Sequence, residues 1–293
     1  MPLDVAKVEE IIQCGGTILG TSRTNPYKKD RGVEKCLEHF KKWNLRALVV
    51  MGGEDTLGVA AKLFKDKKLP VVGVPKTMDN DLPATDYTFG FDTASSVAVE
   101  AAERLRDTGR SHRRIMVLEV MGRHAGWVAL FTGIASGADW ICVPERPVDV
   151  KQMSEHLIRA HARKKYALVV ASEAVDLQGT ERRKGDLDEF GHNILKERGV
   201  GEALAKIIQK ETGIETRSAV IGHIQRGGSP TLFDRILATR VGVEAFRCVL
   251  KGEFGKMTAL RGNQVCPVPL EEATASIKTV SKEWLDLADQ LRP

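Results

Sequence analysis

Short runs of apolar residues recur along the chain, separated by longer stretches whose apolar residues fall at helical spacing. The runs at 45–51, 70–74, 114–120, 140–143, 166–171 and 218–224 are mostly apolar on consecutive positions, as a strand buried on both faces requires. The stretches at 56–65, 92–106, 125–136, 150–164 and 201–212 read as helices, with further helices at 230–251 and 281–291. Strand and helix in alternation predict an α/β fold of two Rossmann-like lobes, each with a mostly parallel sheet covered by helices. A polar, charged excursion at 176–198 reads as a loop of the kind that covers a site. In such sheets ligands bind beyond the C-terminal ends of the strands, so those loops are where chemistry is expected.

Composition removes several classes of function. A chain of 293 residues can bury one large or two modest cores, and 42% hydrophobic with 28% charged residues is the balance of a folded, water-soluble protein. No apolar run approaches the roughly 20 residues that span a bilayer. The opening residues Met1-Pro2-Leu3-Asp4 lack the basic and then apolar build of a signal peptide, so a cytoplasmic location and no membrane partner are expected. The net charge of +5 is spread along the chain rather than gathered into a basic patch, which argues against nucleic acid and for anionic small molecules. Cys14, Cys36, Cys142, Cys248 and Cys266 show neither paired nor metal-ligand spacing and read as free thiols.

Two loops after consecutive strands concentrate the charge. Gly52-Gly53-Glu54-Asp55-Thr56 follows the first run, and Pro75-Lys76-Thr77-Met78-Asp79-Asn80-Asp81 follows the second. A Gly-Gly turn opening a helix lets backbone N–H groups approach a phosphate, although the turn alone fits equally a tight strand-to-helix connection with acids on the helix N-terminus. The second loop could be an Asx-rich turn, but its position beside the first favours chemistry. One carboxylate there can act as general base and another can hold Mg²⁺, while a lysine neutralises charge on a transferred phosphoryl group. Together the loops predict metal-assisted phosphoryl transfer.

These motifs, with Met121-Gly122-Arg123-His124-Ala125-Gly126 and Gly222-His223-Ile224-Gln225-Arg226-Gly227-Gly228-Ser229-Pro230, resemble in order the signatures of the 6-phosphofructokinases. The resemblance implies that Asp79 is the base taking the proton from the 1-hydroxyl of fructose 6-phosphate, with Thr77 in the same sugar-binding loop. It implies substrate binding by Met121, Gly122, Arg123 and Glu173, and a sugar-phosphate clamp of His223 and Arg226. Arg114 and Arg217 match arginines that reach the substrate from a neighbouring subunit, so a homodimer or homotetramer with shared sites is expected. Arginine suits these positions because its fork of donors fits a phosphate dianion.

The donor side is implied in the same way. Gly53 and Arg23 match donor-binding positions, and Glu54 takes the place of the family's usual Mg²⁺-linked aspartate, with Asp81 as a second metal carboxylate. In ATP-dependent members the positions of Asp55 and Lys76 are typically both glycine. An aspartate puts charge and bulk where a nucleotide's α-phosphate would lie, and a lysine supplies positive charge to diphosphate, so the pair resembles the pyrophosphate-dependent branch. An ATP-dependent enzyme and a catalytically idle sugar-phosphate-binding subunit are the alternatives.

The resemblance also implies an organisation. Residues 1–115 are expected to form a phosphoryl-donor lobe, and 116–293 mainly a sugar-phosphate lobe whose C-terminal segment packs back on the first. Family members normally carry a strand and a glycine-rich turn well before the stretch matching Gly15-Gly16-Thr17, whereas here a short helical lead at 5–13 precedes it. The donor lobe is therefore expected to be incomplete at its N-terminus, with weak activity for the chain as it stands.

Overall fold

A computed structural model describes residues 2–177 and 199–292, so the loop expected at 176–198 lies almost wholly outside the described residues. The chain opens with helix α1 (Val5–Val8) and a 3₁₀ turn at Ile11–Gln13, then α2 (Gly32–Lys42), strand β1 (Leu48–Gly52), α3 (Glu54–Lys67), β2 (Val71–Thr77) and β3 (Phe89–Gly90). There follow α4 (Phe91–His112), β4 (Ile115–Val120), α5 (Trp127–Ser136), β5 (Trp140–Cys142), α6 (Val150–Lys164), β6 (Ala167–Ser172), α7 (Val200–Thr212) and β7 (Thr216–Val220). The last elements are α8 (Leu232–Lys251), β8 (Lys256–Arg261), β9 (Gln264–Pro269), α9 (Leu270–Ala273) and α10 (Lys282–Gln290). Two compact units result: residues 2–90 with 229–278, and residues 91–177 with 199–228 and 279–292.

In the first unit the sheet runs β1-β2-β8-β9, with β3 beside the end of β2, and only the β8–β9 pair is antiparallel. Alternate residues of β2 serve opposite faces, as the pleat dictates. Val71 packs with Leu57, Ala60 and Leu63 of α3, whereas Val72 and Val74 pack with Leu237, Val241 and Ala245 of α8. β1 is an edge strand whose Val49 and Met51 lie exposed.

The second unit carries an all-parallel sheet ordered β5-β6-β4-β7. Every residue of β4 and of β6 is buried, as expected of central strands with helices on both faces. Ile115, Val117, Ala167 and Val169 pack with Leu157 of α6 and Leu204 and Ile208 of α7. On the other face, Gly109 of α4 lies so close to Met116 that an added Cβ would come within 2.9 Å of its Cγ. Asp149 caps α6 by accepting from Gln152 N at 2.9 Å, and α6 begins and ends where the helical spacing predicts.

Several elements depart from the expected boundaries. The last parallel strand stops at Val220, because Gly222, at φ +47°, opens a 3₁₀ turn at Gly222–Arg226. Helix α2 and the β8–β9 hairpin were not expected; Gly262, at φ +59°, turns that hairpin. All five cysteines are free, Cys142 and Cys248 buried, Cys14 and Cys36 exposed. Among the described residues no helix is long and apolar enough to cross a membrane.

Candidate active site

In the first unit both charged loops leave the same end of the sheet, since Gly52 and Pro75 are register partners on parallel strands. Gly53 is the N-cap of α3, and Glu54 and Asp55 occupy its first turn, where the helix dipole favours carboxylates. A Cβ on Gly53 would meet Thr77 Cβ at 3.2 Å, so the glycine turn closes directly on the second loop. Lys76, half-buried, is the next-to-last residue of the strand, which ends at Thr77. Arg23 lies exposed, ahead of the 3₁₀ turn at Pro26–Lys28.

The second loop is tightly held. Thr77 Oγ1 donates to Asp79 Oδ2 at 3.2 Å and accepts from Asp79 N at 3.1 Å, which fixes the buried Asp79 carboxylate relative to its own backbone. Asn80 is left-handed at φ +52°, a conformation that asparagine tolerates better than most residues. Its Oδ1 accepts from Thr88 N at 3.1 Å, and Thr88 Oγ1 donates back to Thr77 O at 2.7 Å. From the far end of the unit, Lys278 N donates to Asp81 O at 2.7 Å, and Lys278 Nζ reaches Asn80 Oδ1 at 3.2 Å. Burial pushes the Lys278 ammonium down to about 8, against the pull of Asp86 and Asp81.

The carboxylates of Glu54, Asp55, Asp79 and Asp81 stand on these two loops. Among the described residues, no three histidine, cysteine or acidic side chains group to enclose an ion by themselves. This donor set, all oxygen and without nitrogen or sulfur, suits a hard cation bound by one or two carboxylates and completed by water and phosphate oxygens.

In the second unit the Met121-Gly122-Arg123 turn follows the C-terminal end of β4. Gly122 N and Arg123 N both donate to Glu173 Oε1, at 3.2 and 3.1 Å, while Glu173 N donates to Val120 O at 2.9 Å. Glu173 thus organises the turn with which the sequence grouped it. Gly122 at φ +153° and Arg123 at φ +49° shape the turn, and a Cβ on Gly122 would come within 3.0 Å of Ala125 O. Met121 N donates to Oε1 of the buried Gln225 at 2.9 Å, and Gln225 Nε2 donates to Ala94 O at 3.2 Å. Gln225 therefore ties the Met-Gly-Arg turn to the 3₁₀ turn that displays His223 and Arg226 at the surface.

Neighbouring Glu119, near the end of β4, accepts from Gly201 N at 2.6 Å. Burial raises its carboxyl above the usual range, the Gly201 N–H opposes that, and the charges of Glu173 and Glu202 add to the rise.

Arg114 and Arg217 stand elsewhere. They lie at the N-terminal ends of β4 and β7, so the six residues of β4 put about 20 Å between Arg114 and the Met121 turn. Both contact Glu215, Arg114 Nε at 2.8 Å and Arg217 Nη2 at 2.7 Å. That contact with Arg114, with Arg217 adding charge, holds the Glu215 carboxyl below the usual range. Sequence reasoning singled out neither Glu215, Gln225 nor Lys278. Gln225 stood inside a motif, whereas the other two acquire their partners only through strand register and the return of the chain.

Parallel sheets whose C-terminal loops carry glycine turns, carboxylates and cations define a phosphate-handling α/β transferase. The family model for phosphofructokinase matches residues 1–249. A pyrophosphate--fructose 6-phosphate 1-phosphotransferase of Amycolatopsis methanolica is 55% identical over 291 residues, covering 98% of this chain and 84% of the relative. ATP-dependent 6-phosphofructokinase 2 of Streptomyces coelicolor is 48% identical over 295 residues, covering 99% and 85%. Among solved structures, Pichia pastoris phosphofructokinase in the T-state matches with a TM-score of 0.80 at 28% identity, over 99% of this chain and 31% of that one. The chain belongs to the phosphofructokinase family.

Proposed function

We propose that the chain carries a phosphoryl group from diphosphate to the 1-hydroxyl of fructose 6-phosphate, reversibly, as a step of glycolysis. The observation that carries this reading is Asp79, a buried carboxylate held by Thr77 on a loop against which the Gly53 turn closes. Asp79 takes the hydroxyl proton as the sugar oxygen attacks phosphorus; the bond to the bridging oxygen breaks, and phosphate leaves with that electron pair. Gly53 admits the donor to backbone N–H groups, and Lys76 and Arg23 offset its charge. Glu54 and Asp81 are the carboxylates that would hold Mg²⁺, which when bound supplies charge neutralisation at the phosphate oxygens.

Acceptor roles fall to Thr77, to the Met121-Gly122-Arg123 turn with Glu173, and to His223 and Arg226 for the 6-phosphate. Two observations support a homo-oligomer with shared sites. Arg114 and Arg217 stand at the opposite end of their sheet from Met121, where they serve a neighbouring copy better than their own. Helix α8 also exposes Leu232, Ile236, Val243, Phe246 and Leu250 at steps of three, four and seven residues, an apolar seam suited to another copy of the chain.

Relatives named for either donor lie at similar identity, so the choice of diphosphate rests on Asp55, on the first turn of α3, and on Lys76. Initial rates with fructose 6-phosphate and Mg²⁺ test it: kcat/KM is expected to be at least about 10-fold higher with diphosphate than with ATP, a difference of about 1.4 kcal/mol. Equal or better turnover with ATP rejects the donor, and no turnover with either rejects the reaction. Asp79→Ala is expected to lose about 10²–10⁴ in kcat with KM little changed.

A further inference from the structure

We propose that Lys278 is the positioning residue of the catalytic loop, its ammonium locking Asn80 in the left-handed conformation from which Asp79 is presented. The proposal rests on the phosphoryl-transfer reading of that loop. Lys278 stands 198 residues from Asn80 in sequence and follows α9 on the returning chain of the first unit. Its Nζ donates to Asn80 Oδ1 at 3.2 Å and to the carbonyls of Thr85 and Asp86, both at 2.9 Å. Three acceptors match the three protons of an ammonium. Its main-chain N–H takes Asp81 O at 2.7 Å, so one residue holds the loop by side chain and backbone together.

The rest of the surround makes the lysine the element that closes the loop. The Thr85 and Asp86 turn is fastened to β8 by Asp86 N to Leu260 O at 2.8 Å and Leu260 N to Thr85 Oγ1 at 2.9 Å. Thr88 ties Asn80 to Thr77. Lys278 then bonds the fastened turn to the amide of Asn80, the residue between the proposed base and a proposed metal carboxylate. Without the ammonium, Asn80 Oδ1 keeps its Thr88 donor and Asp81 O keeps the Lys278 N–H, but Asn80 loses its bridge to the Thr85 and Asp86 turn. A displacement of the order of 1 Å at a reacting group is worth about 10²-fold in rate.

The test uses the full chain and the variants Lys278→Met, Lys278→Arg and Asn80→Ala. Lys278→Met is expected to lower kcat by about 10- to 100-fold with KM for fructose 6-phosphate within about 3-fold, and to speed hydrogen exchange at the Thr88 and Asp79 amides by about 10-fold or more. Lys278→Arg, which keeps charge and donors, is expected to recover most of that kcat. Asn80→Ala is expected to reproduce the loss, and Lys278→Met with Asn80→Ala to be no worse than either alone. Additive losses, or a folded Lys278→Met with unchanged kcat, overturn the proposal. Should Lys278→Met fail to fold, Asn80→Ala decides by the same kcat and exchange readouts. Should the parent chain transfer no phosphoryl group, the function reading fails, and unchanged amide exchange in Lys278→Met separately overturns the positioning role.

Discussion

Arg114 and Glu215 form an ion pair at 2.8 Å at the N-terminal ends of neighbouring strands, and the same carboxylate holds Arg217 at 2.7 Å. One acid thus gathers both arginines that the family resemblance assigns to a neighbouring subunit's substrate. Hydrogen bonds to charged groups contribute about 1.5–3 kcal/mol, so Arg217→Met is expected to raise KM for fructose 6-phosphate by about 10- to 100-fold with kcat within a few fold. Glu215→Gln, which keeps an acceptor, is expected to change KM by less than about 5-fold. Initial-rate kinetics on both variants decide this, and a fall in kcat alone would place Arg217 outside substrate binding.

Asp55 and Lys76 select the donor on the reading given above. Replacing both with glycine is expected to raise the ratio of kcat/KM for ATP to that for diphosphate by at least about 10-fold, with each single change giving less. Competition assays with both donors measure the ratio directly. A ratio that stays put would move donor selection to other residues.

Glu119 should leave a mark on stability against pH. Its carboxyl is raised in the folded state, chiefly by burial, so its contribution is fully present below the unfolded value near 4.5 and is lost as pH rises through the raised folded value. The parent is therefore expected to lose Tm relative to Glu119→Gln between pH 4.5 and neutrality; glutamine keeps the acceptor for Gly201 N. Thermal melts across that range would show parallel curves if Glu119 titrated normally.

The seam on α8 predicts association. Phe246→Lys with Leu250→Lys places charge on two exposed positions of that face and is expected to shift sedimentation toward a smaller species at equal protein concentration. Specific activity is expected to fall with it, since Arg114 and Arg217 would then lack a neighbour to serve. An unchanged sedimentation coefficient would put the interface elsewhere.

What the sequence made legible followed from local signals. Helix α6 has a capping aspartate and buried residues Met153, Leu157 and Ala160 on one face, and its bounds could be read directly. Helix α2 has Val33, Leu37 and Phe40 on one face, but most of its other residues are charged and only Val33 is buried, so its periodicity was faint. Strand β9 contains Pro267 and Pro269, which argue against an internal strand and are admitted because β9 is an edge. The loops carrying Asp79 and Arg123 stood out as motifs, whereas Glu215 and Lys278 did not. A carboxylate between two strands, or a lysine in a polar tail, has no local signature; register and return supply its meaning.

The described residues of the first unit come in two pieces, with residues 91–177 and 199–228 of the second unit between them. During synthesis, Asn80 leaves the ribosome about 200 residues before Lys278, a delay of roughly 10–40 s at ordinary elongation rates. For most of that interval β2 lacks β8, and through all of it the loop carrying Asp79 lacks Lys278. A chain released between Pro230 and Lys278 would carry all four motifs by which it resembles the family and still lack the bond proposed to set its base. The loop is in this sense completed late, by a residue made 198 positions after the asparagine it holds.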